Sequence, residues 1–249
     1  MKDKSIPKLI HYCWFGKGDK SPLILKCMKS WKRFMPDYEI IEWNEDNVVL
    51  DNEYAKEAFE VKKYAFVSDY VRLKVIYEYG GIYLDTDVEV LKSLEPLLKD
   101  GGYIGFEHEN TVTSGGGFAA TPHEPAVKAM LDAYMDIHFI KDGQMDLTPC
   151  PFRNTESLKK LGLIPNNKKQ KIGGIIAYPI SFFSPKDCDS GIITLTKDTY
   201  TIHHYGYSWA DEKSREVQKR KEQIFKLCPR FCAQQVFNVV NHIYKLFGK

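Results

Sequence analysis

The chain has 249 residues, 43% of them hydrophobic and 27% charged, with a formal net charge of +2. These values exclude a disordered segment and fit a single folded domain, with room for a short appended tail. A charge balance this close to zero makes no case for nucleic-acid binding by the surface as a whole.

Residues 6–15 alternate in polarity and end in Gly16, which predicts a short buried strand followed by a loop. Ser21 is placed to cap a helix running to about Phe34, with Pro22 at its first position. Pro36 and Asp37 then turn the chain into a second strand over residues 38–43. Residues 63–79 form the clearest helical pattern, stopped by Gly80 and Gly81. Ile82, Tyr83 and Leu84 make a short apolar strand that delivers Asp85. Strands are further predicted over residues 88–91, 103–106, 117–120, 175–180 and 200–204, and a helix over 124–137. From Asp211 onward the pattern is helical, divided by Pro229. Strands alternating with helices indicate an α/β sheet covered on both faces, which binds ligands at the carboxyl ends of its strands.

Two Asp-x-Asp triplets occur. Asp187-Cys188-Asp189 lies among Ser, Pro, Lys and Gly and reads as a surface turn. Asp85-Thr86-Asp87 instead follows a buried run, where adjacent carboxylates are costly unless something neutralises them. A divalent cation does so, and oxygen ligands select hard ions such as Mn²⁺ or Mg²⁺. On the preceding helix, Ala65, Asp69, Arg72 and Ile76 share one face, so Asp69 and Arg72 are neighbours a short turn from the carboxylate pair.

The run from Ala65 to Arg72, followed by Tyr79-Gly80-Gly81-Ile82-Tyr83-Leu84-Asp85-Thr86-Asp87, resembles the DXD sugar-binding region of glycosyltransferase family 32. That family includes bacterial capsule and lipopolysaccharide transferases and yeast mannosyltransferases, and the large clostridial glucosylating toxins are distant relatives. The stretch from Ile6 to Gly16 resembles the family's first strand, and His203-His204-Tyr205-Gly206-Tyr207-Ser208-Trp209 resembles its closing motif. The chain departs from the family pattern at Lys17, at Gly206-Tyr207 and at Ser114-Gly115-Gly116-Gly117.

The resemblance, which spans about residues 6–210, implies a GT-A type domain over residues 1–210; it does not cover the basic amphipathic helical tail that the residues themselves predict over 211–249. It implies that Trp14 stacks on the nucleobase, with backbone contacts from Cys13. Asp69 and Arg72 would hold the donor's sugar and ribose or phosphate, assisted by Ser68. Asp87 would bind the metal, and Asp85 would contact ribose or metal. His204 is favoured as the third metal ligand because its spacing to Trp209 fits the toxin relatives, with His203 as the alternative, since a strand sends the two imidazoles to opposite faces. Ser208 and Trp209 would reach the diphosphate from a closing loop, so Asp69, Arg72 and Trp209 are the catalytic candidates. The implied reaction retains anomeric configuration, moving a hexosyl or N-acetylhexosaminyl group from a UDP-sugar to a saccharide or lipid-linked saccharide during bacterial surface polysaccharide synthesis. No confident nucleophile is found among the remaining carboxylates, which fits a front-face reaction.

Glu107, His108, Glu109 and His123 fall where an acceptor could bind, as does the loop at Thr148-Pro149. The tail carries nine Lys or Arg against four Asp or Glu. Its amphipathic segment, with Val236, Val240, Ile243 and Phe247 on one face, predicts a helix that packs on the body or lies on an anionic membrane. Six scattered cysteines without CxxC pairs, and the absence of a leader pattern, give an expectation of reduced thiols in a cytoplasmic protein, working if at all from the membrane's inner face. Two rival classes are a non-catalytic sugar-nucleotide or carbohydrate-binding protein and a metal-dependent nucleotidyltransferase. Phe15-Gly16-Lys17-Gly18 makes a poor phosphate loop for the latter.

Overall fold

The computed structural model describes residues 5–206, 212–228 and 230–247. In chain order, β1 (Leu9–Cys13), α1 (Pro22–Phe34) and β2 (Glu39–Trp43) are followed by α2 (Glu53–Glu60) and α3 (Tyr64–Tyr79). Then come β3 (Gly81–Tyr83), β4 (Val88–Val90), α4 (Glu95–Leu98), β5 (Gly102–His108), β6 (Thr111–Ala120) and α5 (Pro125–Asp132). A small hairpin, β7 (Ile140–Lys141) and β8 (Gln144–Met145), leads to α6 (Cys150–Lys159), β9 (Gln170–Ile172), β10 (Ile175–Tyr178), α7 (Ile180–Phe183) and β11 (Thr201–His203). The tail forms α8 (Glu212–Leu227) and α9 (Arg230–Phe247).

A seven-stranded sheet in the order β2-β1-β3-β6-β5-β10-β9 is the frame. It is mixed: β1 runs parallel to β2 and β3, and β10 parallel to β5, while β6 is antiparallel to both its neighbours. Alternate residues of each strand feed two separate cores, as the pleat requires. Tyr83, Ile104, Phe118 and Ala177 join the layer of α2, α3, α5 and α6. Ile82, Leu84, Tyr103 and Ile176 join Trp31 of α1, Leu97 of α4 and Phe183 of α7 on the other side. The predicted α/β sheet with both faces covered is the fold observed.

Local chemistry explains the elements nearest the site. The Ser21 side chain accepts from the Ile24 N–H, capping α1 as its sequence predicts. Helix α3 ends at Gly80, whose φ of 67° lies in the left-handed region and lets the chain turn directly into β3. A short central strand then needs anchoring, and buried His11 supplies it. Its Nε2–H donates to the Gly80 carbonyl at 2.9 Å, and its Nδ1 accepts from the Trp43 indole at 3.0 Å. Both ring nitrogens are thus committed to the neutral form, and burial pulls the His11 pKa down to about 4 despite the opposing Gly80 carbonyl. The unfolded chain binds this proton from about pH 6.5, so His11 costs stability progressively as pH falls from there to about 4. Urea titrations over that range are expected to show a shallower pH dependence in His11→Gln than in the parent chain.

The β5–β6 hairpin departs from simple pairing twice. Ile104 faces Phe118 but Gly105 faces Thr113, so Ser114, Gly115, Gly116 and Gly117 leave the ladder as a wide excursion. Phe106 faces Val112 and His108 faces Thr111, leaving Glu107 as an extra residue on its strand. Bulges of this kind re-aim side chains beside functional clefts.

The tail helices lie against each other and against the loop after α7. Arg220 stacks over Tyr244, and Lys221 pairs with Asp189 at 2.5 Å while Gln218 donates to the Cys188 carbonyl at 2.7 Å. The Asp187-Cys188-Asp189 segment is the turn expected of it, with Ser190 N–H donating to the Asp187 carboxylate at 2.7 Å. On α9, Ala233 and Phe237 are buried, Val236 and Val240 are half-buried, and Val239 is exposed. The Ile243 and Phe247 side chains lie outside the description. Among the described residues, no helix is long and apolar enough to cross a membrane.

Candidate functional site

The parallel pairing of β1 with β3 places Ile10 opposite Ile82 and His11 opposite Tyr83, so the two strands end side by side. Asp85 and Asp87 lie just beyond the end of β3, with Cys13 and Trp14 at the end of β1. The Val88 N–H donates to the Asp85 carbonyl at 3.0 Å, tightening the turn that presents both carboxylates.

Arg72 organises one side of this turn. It is 4% exposed, and its Nη2 lies 3.0 Å from Asp85 Oδ1 and 3.2 Å from Asp69 Oδ1. Its Nε donates to the Ser68 carbonyl at 3.1 Å, its guanidinium covers the Tyr83 ring at 5.1 Å, and Nη1 reaches Cys150 Sγ at 3.7 Å. The Tyr83 hydroxyl donates to Asp85 Oδ1 at 2.9 Å. Burial raises the pKa of Asp69 against the attraction of Arg72. Burial also pushes Asp85 up to about 6, with Asp87 adding to the rise and Arg72 and His203 opposing it.

The other side is organised by the pairing of β4 with β11, in which Val88 faces His203. That register sets the His203 ring beside Asp87, with Nε2 3.4 Å from Asp87 Oδ1. The Gly206 N–H donates to Asp87 Oδ2 at 2.6 Å. Although burial alone would raise it, Asp87 is held well below the usual carboxylate range by His203 and these hydrogen bonds. Burial would lower the His203 pKa, but Asp87 and Glu107 more than offset it and lift it to about 10.

Asp85, Asp87 and His203 each offer one ligand atom, all within 4.8 Å of one another. This corrects the expectation for His204. His204 lies just past the end of β11, its Nε2 engaged by Glu89 at 2.8 Å, and Glu89 also holds Lys26 at 2.8 Å. Neighbouring histidines on one strand look equivalent in sequence, and only the register of β4 against β11 separates them.

The remaining expected residues divide. Cys13 is buried, and its thiol is pushed up to about 12 by burial; Arg72, Tyr83, Asp85 and Ser68 are the polar groups around it. Ser68 donates its hydroxyl to the Tyr64 carbonyl at 3.0 Å. Trp14 is partly exposed, its indole donating to the Gly18 carbonyl at 2.8 Å and its ring lying under Lys20. Ser208 and Trp209 lie outside the described residues. Of the acceptor candidates, Glu107 points into the site, 3.4 Å from His203 Nδ1. His108 and Glu109 are exposed, and His123 packs edge-on against Tyr77. Thr148 and Pro149 lead into α6, whose first residue, Cys150, meets Arg72.

The glycine excursion of β6 forms the floor. A Cβ at Gly115 would sit 2.8 Å from Asp85 Oδ2 and 3.0 Å from Arg72 Nη1; one at Gly116 would approach Thr113, Ser184 and His203. Gly115→Val is therefore expected to displace the Arg72–Asp85 pair and cost about 1–3 kcal/mol in urea unfolding. Gly18→Val, with nothing within 4 Å of its Cβ position, serves as the control and should be near neutral. Sequence reading missed Tyr83, Cys150, Gly115 and Gly116 as site residues. The unusual Ser-Gly-Gly-Gly run was the available signal for the last two.

Around the cleft, four carboxylates (Asp69, Asp85, Asp87, Glu107) face one guanidinium and one imidazole, an excess of two negative charges. The donor set of two carboxylates and an imidazole, together with that excess, fits a divalent cation.

Residues 22–103 match the family described as "Glycosyltransferase sugar-binding region containing DXD motif". Inositol phosphoceramide mannosyltransferase 3 of Schizosaccharomyces pombe is 34% identical over 100 residues, which are 38% of this chain and 28% of that protein. Inositol phosphoceramide mannosyltransferase 1 of the same yeast is 25% identical over 232 residues, covering 86% of this chain and 68% of that protein. The chain thus spans about a quarter of the first relative and about two thirds of the second. Among solved structures, the PaToxG glycosyltransferase superposes with a TM-score of 0.52 at 20% identity, over 63% of this chain and 70% of that one. At that identity the likeness carries the fold, a GT-A type architecture.

Proposed function

We propose, from the premise that this chain carries the DXD sugar-binding region of the glycosyltransferases over residues 22–103, that it is a metal-dependent hexosyltransferase acting on a nucleoside diphosphate sugar. The observation that carries this reading is the convergence of Asp85, Asp87 and His203 beside the buried Arg72–Asp69 pair. An imidazole in the donor set favours Mn²⁺ over Mg²⁺.

The chemistry assigned to the residues follows from where charge develops. Breaking the bond between the anomeric carbon and the diphosphate puts negative charge on the leaving oxygen. A divalent cation, when bound, supplies Lewis-acid stabilisation of that charge. Arg72, locked by the Ser68 carbonyl and by two carboxylates, is oriented before substrate arrives and loses little freedom on binding it. Asp69 and Asp85 accept hydrogen bonds from sugar or ribose hydroxyls. Trp14, at the mouth of the β1–β3 cleft, offers a flat face for the base. Gly115 packs directly on Arg72 and Asp85, holding both groups in place without a side chain of its own. Tyr83 fixes Asp85 from below.

The hexose proposed is mannose or a close analogue, since the two yeast relatives are named mannosyltransferases. Uracil and guanine are the donor bases to compare. Retention of configuration, a saccharide or lipid-linked saccharide acceptor, and work in the cytoplasm at an inner membrane face, as in bacterial surface polysaccharide synthesis, complete the proposal. The membrane contact is supported by the basic, partly exposed tail helices. Incubation with a panel of UDP- and GDP-sugars and Mn²⁺ should release free nucleoside diphosphate. Pyrophosphate release would instead mark a nucleotidyltransferase, and nucleotide binding without turnover a binding protein.

A further inference from the structure

Glu107 is a buried carboxylate that the reaction chemistry above does not use. Its side chain is 8% exposed, although it belongs to a hairpin strand whose next residues, His108 and Glu109, are in solvent. It reaches the interior because it is the extra residue of the bulge between the Phe106–Val112 and His108–Thr111 pairs. An ordinary strand position there would have left the alternation intact and sent this side chain elsewhere. Its nearest cationic group is the Nδ1 edge of His203, 3.4 Å away, on the opposite edge of the ring from the Nε2 that faces Asp87. The same Nδ1 is buried and has no formed hydrogen bond, with the Glu107 carboxylate the acceptor standing within ion-pair distance of it.

We propose that Glu107 is a positioning residue: it takes the Nδ1–H of His203, fixing the tautomer and ring angle that leave Nε2 free to join Asp85 and Asp87 around the cation. The inference rests on the metal-site reading above and deepens it. Two physical points favour it. A ring turned over about its Cβ–Cγ bond would bring Nδ1 toward the carboxylates, and a neutral imidazole has only one nitrogen free to ligate. Carboxylates on the distal nitrogen of a ligating histidine settle both the tautomer and the orientation, and their loss typically weakens metal binding about 10- to 100-fold. A buried glutamate facing a buried imidazole, reached only through a strand irregularity, matches that arrangement and has no evident packing role.

The test is Mn²⁺ binding to the full chain, read from the electron paramagnetic resonance of free Mn²⁺, for the parent, E107A, E107Q, H203A and E107A/H203A. E107A is expected to weaken Mn²⁺ binding about 10- to 100-fold. E107Q, which keeps an acceptor for Nδ1–H and the shape of the side chain, should lose less. In the H203A background, adding E107A should change nothing further, because Glu107 acts through the ring. Equal affinity in E107A and parent would overturn the proposal. So would an E107A loss of the same size with and without His203, which would mean bulk electrostatics. If E107A fails to fold, E107L, which offers Nδ1–H no acceptor, takes its place: parent-level affinity, or an equal loss with and without His203, overturns the proposal. A parent chain that binds no Mn²⁺ would sink the metal-site reading and this inference together.

Discussion

Asp87→Asn is expected to cut turnover about 1,000-fold or more, equivalent to roughly 4 kcal/mol of lost transition-state stabilisation. The substitution is nearly isosteric, and the Gly206 N–H can still donate to the side-chain oxygen, so the fold should survive. What disappears is the anionic oxygen nearest His203 Nε2, 3.4 Å away. The cation would then have one carboxylate and an imidazole, and the excess negative charge of the cleft would halve. Turnover at saturating donor, measured across a Mn²⁺ titration, checks this. A variant within tenfold of the parent at every Mn²⁺ concentration would show that Asp87 is not the principal anchor.

Arg72→Met should act on stability as strongly as on activity. The guanidinium is almost fully enclosed and is the counter-ion closest to both Asp69 and Asp85. Its removal leaves two buried carboxylates uncompensated, a loss of about 3–5 kcal/mol. For a domain of this size that is a fall in Tm of about 10 °C. The sign of the pH dependence follows from Asp85, whose pKa is already raised by burial to about 6. Without Arg72 the folded pKa rises further above its unfolded value. The folded state then holds protons the unfolded chain gives up, so the deficit should be smaller near pH 5 and grow as pH rises. Thermal melts of parent and variant at pH 5 and 7.5 measure it. Asp69→Asn added to Arg72→Met should recover part of the loss, since it removes one of the stranded charges.

Much of this site was legible in the sequence because its anchors are local. Asp69 and Arg72 sit three residues apart on one helix, and Gly80-Gly81 announces the turn into β3. Asp85 and Asp87 follow within a few residues, so helical spacing and a strand end bring them together without knowledge of the sheet order. The GT-A type fold and the DXD resemblance rested on the same stretch. The parts that failed or were missed all depend on pairing between distant segments. His203 is singled out only by its place opposite Val88 of β4, with His204 one residue beyond the ladder. Glu107 enters the cleft through a bulge whose partner residues are Val112 and Thr111. Cys150 reaches Arg72 because α6 packs on β6. Helix α2, only eight residues long, offers too little periodicity to stand out, and the β5–β6 hairpin is longer than its apolar runs because glycines interrupt β6.

The excursion at Ser114–Gly117 has an evolutionary corollary. Phe118 stays opposite Ile104 and Thr113 opposite Gly105, so both flanks are pinned independently of what lies between them. Lengthening or trimming those four residues would change what packs on Arg72, Asp85 and His203 while each flank kept its own alternation and its own core. Changes of length in this stretch would therefore fall first on the Arg72–Asp85 contact, while the sheet on either side keeps its register.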